Sequence, residues 1–194
     1  MRKKPAVYFL IVLIILGSCA TGVGKKEDQL LVYLTDSSRF VLLPAAGIEK
    51  ALDMPQFLSA SYGGEDYFLN VWVMADENGI DMTLFNGMGS NMGELSYRDG
   101  SVSFSSPVFP PSLLPEYIVA DFQLCFYRAD ILRRALKNCG LILETTDTGR
   151  RILKGKNLIT EIEKKPESVK LTNHLRGYSY TLEGNFSVKG NDDD

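Results

Sequence analysis

The sequence predicts a mainly β fold of the α+β class: a curved antiparallel sheet or unclosed β-barrel with a helical lid or plug. Three observations predict it. Apolar and polar residues alternate with period two in one run after another. Asn-Gly, Asp-Gly and Thr-Gly pairs punctuate those runs. A single stretch, residues 115–138, changes to helical spacing.

Tyr67, Leu69, Val71, Val73 and Ala75 share one face of a strand, and Phe68, Trp72 and Met74 the other. Both faces are largely apolar, which predicts a sheet covered on both sides. Asn78 and Gly79 turn this strand into Ile80, Asp81, Met82, Thr83, Leu84 and Phe85. Asp99 and Gly100 do the same between a strand at Leu95 to Tyr97 and one at Val102 to Phe104. Later strands run at 141–143, 151–153, 158–162, 169–172 and 178–182, with turns at Thr148 and Gly149 and near Gly155. Loops this short join antiparallel neighbours, so the sheet is a meander rather than a βαβ array.

Within residues 115–138 the apolar positions are Ile118, Val119, Phe122, Cys125 and Phe126, then Ile131, Leu132, Ala135 and Leu136. Pro115 suits a helix start and Gly140 the residue after an end. Two helical pieces with a bend around Tyr127, Arg128 and Ala129 follow. Val41, Leu42, Leu43 and Pro44, with their sequel to Met54, are read as holding one further short helix.

The N-terminus reads as an address segment over residues 1–18. Arg2, Lys3 and Lys4 precede an uncharged apolar run from Pro5 to Leu16. As a helix that run spans only about 18 Å, against a hydrocarbon core near 30 Å, which fits a signal peptide and not a lasting span. Leu16, Gly17, Ser18 and Cys19 resemble the bacterial lipobox. The resemblance implies diacylation of the Cys19 sulfur and cleavage before it, with two or more palmitate-like chains giving stable anchorage. An ordinary secretory signal with an incidental cysteine is the plainer alternative. Ala20 stands where an Asp favours inner-membrane retention in enteric-type bacteria, and so points to the outer membrane, facing the periplasm. Residues 19–29 then form the lipidated cysteine and a flexible tether reaching up to about 35 Å. The domain proper covers residues 30–188, and residues 189–194 are an acidic tail.

Composition excludes some classes. Of 194 residues 45% are hydrophobic and 23% charged, which is ordinary for a globular domain. The net charge of −3 comes with no basic stretch interleaved with aromatics, so nucleic acid is not an expected partner. Cys125 and Cys139 would stand about 21 Å apart on one straight helix, too far for a disulfide. A break between two helices keeps the bridge open, although two buried, inert thiols are the commoner outcome. No Cys/His cluster suggests a metal, and no cofactor is expected. His174 is the only histidine and lies in no nucleophile motif, so no catalytic residue is nominated and the protein is not expected to be an enzyme.

Pro110 and Pro111, and the run from Leu114 through Ala120, Asp121, Phe122, Gln123 and Leu124, resemble the central signature of an uncharacterised bacterial lipoprotein family, domain of unknown function 3261. Leu42, Leu43 and Pro44, Gly149 to Arg151, and Gly177 with Tyr178 match as well. The resemblance covers roughly residues 30–185. It departs at Phe126 and Tyr127, where the family usually has Trp-Pro. It implies a LolA/LolB-like fold, an unclosed antiparallel barrel with helices as a lid over an apolar interior. It further implies a role in moving lipids, fatty-acyl-like products or lipoproteins to the outer membrane.

On this reading Trp72, Met74, Met82, Phe85, Phe122 and Phe126 are the candidates to line an apolar ligand site, since Met and aromatic side chains adapt to flexible chains. The same residues would also fill a plain core. Asp121 and Gln123 are candidates to hold the lid helix against the barrel rim, unless they only satisfy nearby backbone or face water. Arg133, Arg134 and Lys137 form a solvated face that anionic lipid headgroups could approach. The expected function is a lipid-anchored carrier or acceptor of lipid or lipoprotein acyl chains, with a periplasmic carrier protein as a further partner. The alternative is a structural or scaffolding envelope lipoprotein that binds a protein and has no ligand cavity.

Overall fold

Alternation builds the molecule. The computed structural model describes residues 30–62, 64–98, 100–109 and 113–186. Cys19, the tether and the acidic tail lie outside the described residues. A hairpin of β1 (Leu31–Thr35) and β2 (Ser38–Val41) forms a small sheet of its own. A 3-10 turn, Ala45–Gly47, follows Pro44, and the chain then enters the main sheet. That sheet holds β3 (Leu52–Tyr62), β4 (Glu65–Ala75), β5 (Ile80–Phe85), β6 (Asn91–Arg98), β7 (Ser101–Ser105), β8 (Ile142–Thr146), β9 (Gly149–Lys154), β10 (Asn157–Lys165), β11 (Ser168–Asn173) and β12 (Tyr178–Glu183).

The ten strands run in the order β7-β6-β5-β4-β3-β12-β11-β10-β9-β8, every pair antiparallel. Both meanders are as expected from the turns. What joins them is β3, which pairs with β4 on one side and β12 on the other. β7 and β8 do not pair, so the sheet is open.

Two points correct the expectation for residues 41–54. The helix there amounts to the single 3-10 turn, and Met54 belongs to the eleven-residue strand β3. Pro55 lies in that strand beyond the reach of β12, whose last pair is Glu183 with Phe57. Among the described residues β4 is the only strand neighbour of β3 at that point, a setting in which a proline is tolerated.

Between β7 and β8 come α1 (Pro115–Phe126) and α2 (Ala129–Asn138). Pro115 opens α1, and Gly140, with φ at +76°, follows α2 in the left-handed conformation that ends helices. The bend falls at Tyr127 and Arg128, both extended. It is held from outside: Arg128 N–H donates to Gly47 O at 3.0 Å and Glu49 N–H to Phe126 O at 2.9 Å. A Cβ on Gly47 would lie 2.5 Å from the Tyr127 ring, so only glycine fits there.

The helices are buried differently. In α1 all eight residues from Val119 to Phe126 are buried, as expected of a helix surrounded by protein. In α2 only Leu132 and Leu136 are buried, and Arg133, Arg134 and Lys137 face water. The curved sheet wraps its inner face around α1. Val71, Val73, Ile80, Leu95, Ile152, Ile162 and Leu171 contribute to one core with Val119, Phe122 and Leu124. Each such fully buried side chain contributes roughly 1.5–3 kcal/mol.

Candidate functional site: an apolar cavity under the central helix

The first half of α1 does not fill the space it covers. A cavity of about 390 Å³ lies between it and the inner face of β3, β4, β5, β6 and β12, within the range that accommodates small ligands. Alternation decides its walls. Leu58 and Ala60 come from β3, Val71 and Val73 from β4, Met82 and Leu84 from β5, and Leu95 from β6. Ile118, Asp121 and Phe122 reach in from one face of α1, at the three- and four-residue spacing that aligns side chains on a helix. Tyr178, Tyr180 and Leu182 close it from β12, and Leu113, Leu114, Tyr117 and Arg176 form its outer lip.

Among the sequence candidates, Met82 and Phe122 line this cavity, and Asp121 joins them. Trp72 and Met74 do not, a correction with a simple cause. They alternate with Val71 and Val73 and therefore point out of the other side of the sheet, each more than two-fifths exposed. The Trp72 indole N–H donates to Asp53 Oδ1 there, at 3.0 Å. Phe85 is likewise absent from the cavity wall. It has the parity opposite to Met82 and Leu84 and sits across from Asn70. Phe126 lies one turn beyond Phe122, with ring centroids 4.7 Å apart, and its ring lies tilted against Phe186 at 5.7 Å. It lines a separate cavity of about 350 Å³ together with Leu52, Lys164 and Val169.

Asp121 and Gln123 part company. Gln123 is fully buried and faces away from the cavity. Its Oε1 accepts from Leu43 N–H at 2.9 Å, and its Nε2 donates to Leu43 O at 2.7 Å and to Tyr127 Oη at 3.3 Å. Tyr97 Oη donates to the same carbonyl at 2.8 Å. Gln123 thus fastens α1 to the segment after β2, not to the rim of the large sheet.

Asp121 is a buried carboxyl on the cavity wall, which Ser61 and Ser179 also line. Its Oδ2 accepts from Tyr178 Oη at 2.7 Å, and Tyr178 accepts in turn from Asn173 Nδ2 at 3.3 Å. Burial pushes the Asp121 carboxyl up to about 7, against the opposing pull of the Tyr178 bond and the Arg176 charge. Burial, and next the Asp121 charge, likewise push Tyr178 up.

Arg176 sits in the β11–β12 turn. Asn173 Oδ1 accepts from Arg176 N–H at 2.9 Å, and Gly177, at φ +67°, closes the turn. The guanidinium folds back over Tyr117, its Cζ 4.4 Å from the ring centroid. It donates to Tyr117 Oη at 3.4 Å and to Tyr33 O. Tyr117 Oη also accepts from Tyr33 N–H at 3.2 Å. Burial would raise the Tyr117 pKa, but the Arg176 and Tyr33 bonds outweigh it and leave the phenol lowered.

Both described cysteines are free thiols. Cys125 lies 3.7 Å from Tyr180 Oη, and burial pushes its thiol up to about 12, which leaves it unreactive. Cys139 donates to Leu136 O at 3.1 Å. Among the described residues no group of three or more His, Cys, Asp or Glu side chains could hold a metal ion. His174 lies half-exposed, 3.9 Å from Glu161.

The model of a family described as "Protein of unknown function (DUF3261)" matches residues 53–184. That span takes in both helices and every strand lining the cavity, and leaves out the β1–β2 hairpin. A comparison with curated proteins finds no match.

Proposed function

From the premise that the chain belongs to this family of proteins of unknown function, we propose that it is a lipid-anchored envelope protein that binds an apolar cargo and hands it over. The observation that carries the reading is the cavity beneath α1, whose wall is formed by aliphatic and aromatic side chains broken by few polar groups. An acyl chain or fatty-acyl-like product entering it gains roughly 0.8 kcal/mol per buried CH₂. The cargo would enter at the lip formed by Leu113, Leu114 and Tyr117, where Leu114 is more than half exposed. Acylation at Cys19 would keep the domain within reach of an outer membrane, and delivery would come from a periplasmic carrier of lipoprotein or lipid. A LolA- or LolB-like fold, with helices roofing an unclosed barrel, would suit that role.

The test is mass spectrometry of an organic extract from the chain beginning at residue 20, exported behind a cleavable leader. This chain retains every described element. A stoichiometric lipid or polyene is expected. Ala60→Phe, which fills the cavity from β3 at a cost of about 1–3 kcal/mol, should fold and come out empty. Equal cargo in both proteins would sink the cavity as the binding site.

A second reading rests on the other face of the sheet. Phe57, Phe68, Trp72 and Met74 are all exposed there, with the Phe57 and Phe68 rings stacked at 6.2 Å. A cluster of this kind suits a protein partner and a scaffolding role. A clean extract from the folded chain would favour it.

A further inference from the structure

The cavity is apolar along its walls but not at its lip, and the difference bears on what it holds. Arg176 lies at the exposed edge, with its guanidinium stacked on Tyr117 and two of its donor contacts made to neutral oxygens, Tyr33 O and Tyr117 Oη. Among the described residues no carboxylate lies within ion-pair distance of it. Tyr117 Oη accepts from both Tyr33 N–H and Arg176, so its two lone pairs are engaged and its own hydrogen is free to donate outward. The lip therefore offers a positive charge and an O–H donor side by side, at the opening of an apolar chamber.

One turn further along α1 is Asp121, about 6 Å deeper by the helical rise. A full negative charge there would oppose an anion at the lip. Burial raises its carboxyl to about 7, so much of that charge is lost at neutral pH, and Tyr178 covers one of its oxygens. In its protonated form it is another donor facing the chamber.

We infer that the lip formed by Arg176 and Tyr117 seats an anionic headgroup, so the cargo is a single-chain amphiphile ending in a carboxylate or phosphate, not a neutral hydrocarbon. The chain runs inward past Asp121 toward Met82, Leu95 and Phe122. This rests on the cavity being a binding site and goes beyond it by naming the chemical class of the ligand. A carboxylate would come from a free fatty acid and a phosphate from a lipid monoester, and the two sources are separable.

The experiment uses the chain from residue 20 and a neutral fluorescent naphthylamine as the cavity probe. Dodecanoate, dodecyl phosphate and dodecanol are each titrated below their aggregation limits to displace it. At least one anion should displace the probe at a roughly tenfold lower concentration than dodecanol, the worth of one charge-assisted pair. Arg176→Gln should erase that advantage, bringing the displacing concentration of each anion up to that of dodecanol in the same variant, and Arg176→Lys should restore part of it. Preference for dodecanoate assigns a fatty acid, and preference for dodecyl phosphate a phosphate monoester. Equal displacement by all three, or an advantage that survives Arg176→Gln, overturns the headgroup assignment and leaves the cavity reading standing. Failure of the probe and all three ligands to bind overturns both.

Discussion

The two ends of α1 differ in how their polar groups are treated. At the far end, Gln123 makes three hydrogen bonds, and the Arg150 guanidinium donates to Leu124 O at 2.9 Å and to Glu49 at 3.0 Å. At the near end, Tyr117 and Asp121 face a chamber that side chains leave unfilled. Buried polar groups are costly unless satisfied, so a fully paired network fixes one position of a helix. Two functions are thereby divided along twelve residues: one end is an anchor, and the other roofs a cavity.

The sharpest way to break this contrast is to remove the anchor. Gln123→Ala strips Leu43 N–H of its partner in a buried place and leaves a void, and should destabilise the domain by about 4–5 kcal/mol in urea unfolding. Tyr117→Phe at the near end should cost less than about 1 kcal/mol. Comparable losses in the two variants would abolish the distinction.

Asp121 should produce the next largest effect, and its sign follows from linkage. Its folded pKa is raised from 3.8 to about 7, so the native state holds the proton more tightly than the unfolded chain. The stability this provides is complete below the unfolded value and is lost as pH rises through about 7. Unfolding free energy should therefore fall by about 2–4 kcal/mol between pH 4 and 7. In Asp121→Asn, which can still accept from Tyr178, that slope should flatten. A slope unchanged in the variant would place its origin elsewhere.

Gln56 sharpens the comparison from a third direction. It lies on the same face of β3 as Leu58 and Ala60, is buried, and has neither its Oε1 nor its Nε2 partnered. It has the burial of Gln123 without the bonds. Gln56→Met should raise stability by about 1–2 kcal/mol. No gain on thermal or urea unfolding would mean that the amide is satisfied in solution.

Much of the fold was legible because its signals are local. Gly140, Pro115 and the two apolar rows of 115–138 mark the helices, and the Asn-Gly and Asp-Gly turns mark the meander. The β1–β2 hairpin went unread because its turn is closed by Thr35, whose Oγ1 accepts from Ser37 and Ser38 N–H, with no glycine to announce it. β3 went unread because Pro55 argues against a strand, and only the shorter reach of β12 makes it acceptable. The site was half legible. Period two separates Val71 and Val73 from Trp72 and Met74, but says nothing about which set faces inward when both are apolar. Aromatic size suggested the wrong set, since the inner face of a sheet curved around a helix has room for valine where the convex face does not restrict tryptophan. Arg176 gave no signal at all: it is a turn residue whose significance depends on Tyr117, 59 positions away.

The free edges at β7 and β8 carry a consequence of their own. In a closed barrel, strand number and stagger dictate the girth whatever the contents. Here no such hoop exists, and the radius of the sheet is set by the helix it embraces. A thicker or thinner guest beside α1, on the proposed reading, would be met by a small change in the wrap, shared over ten strands, without parting a single ladder. The container takes its gauge from its filling.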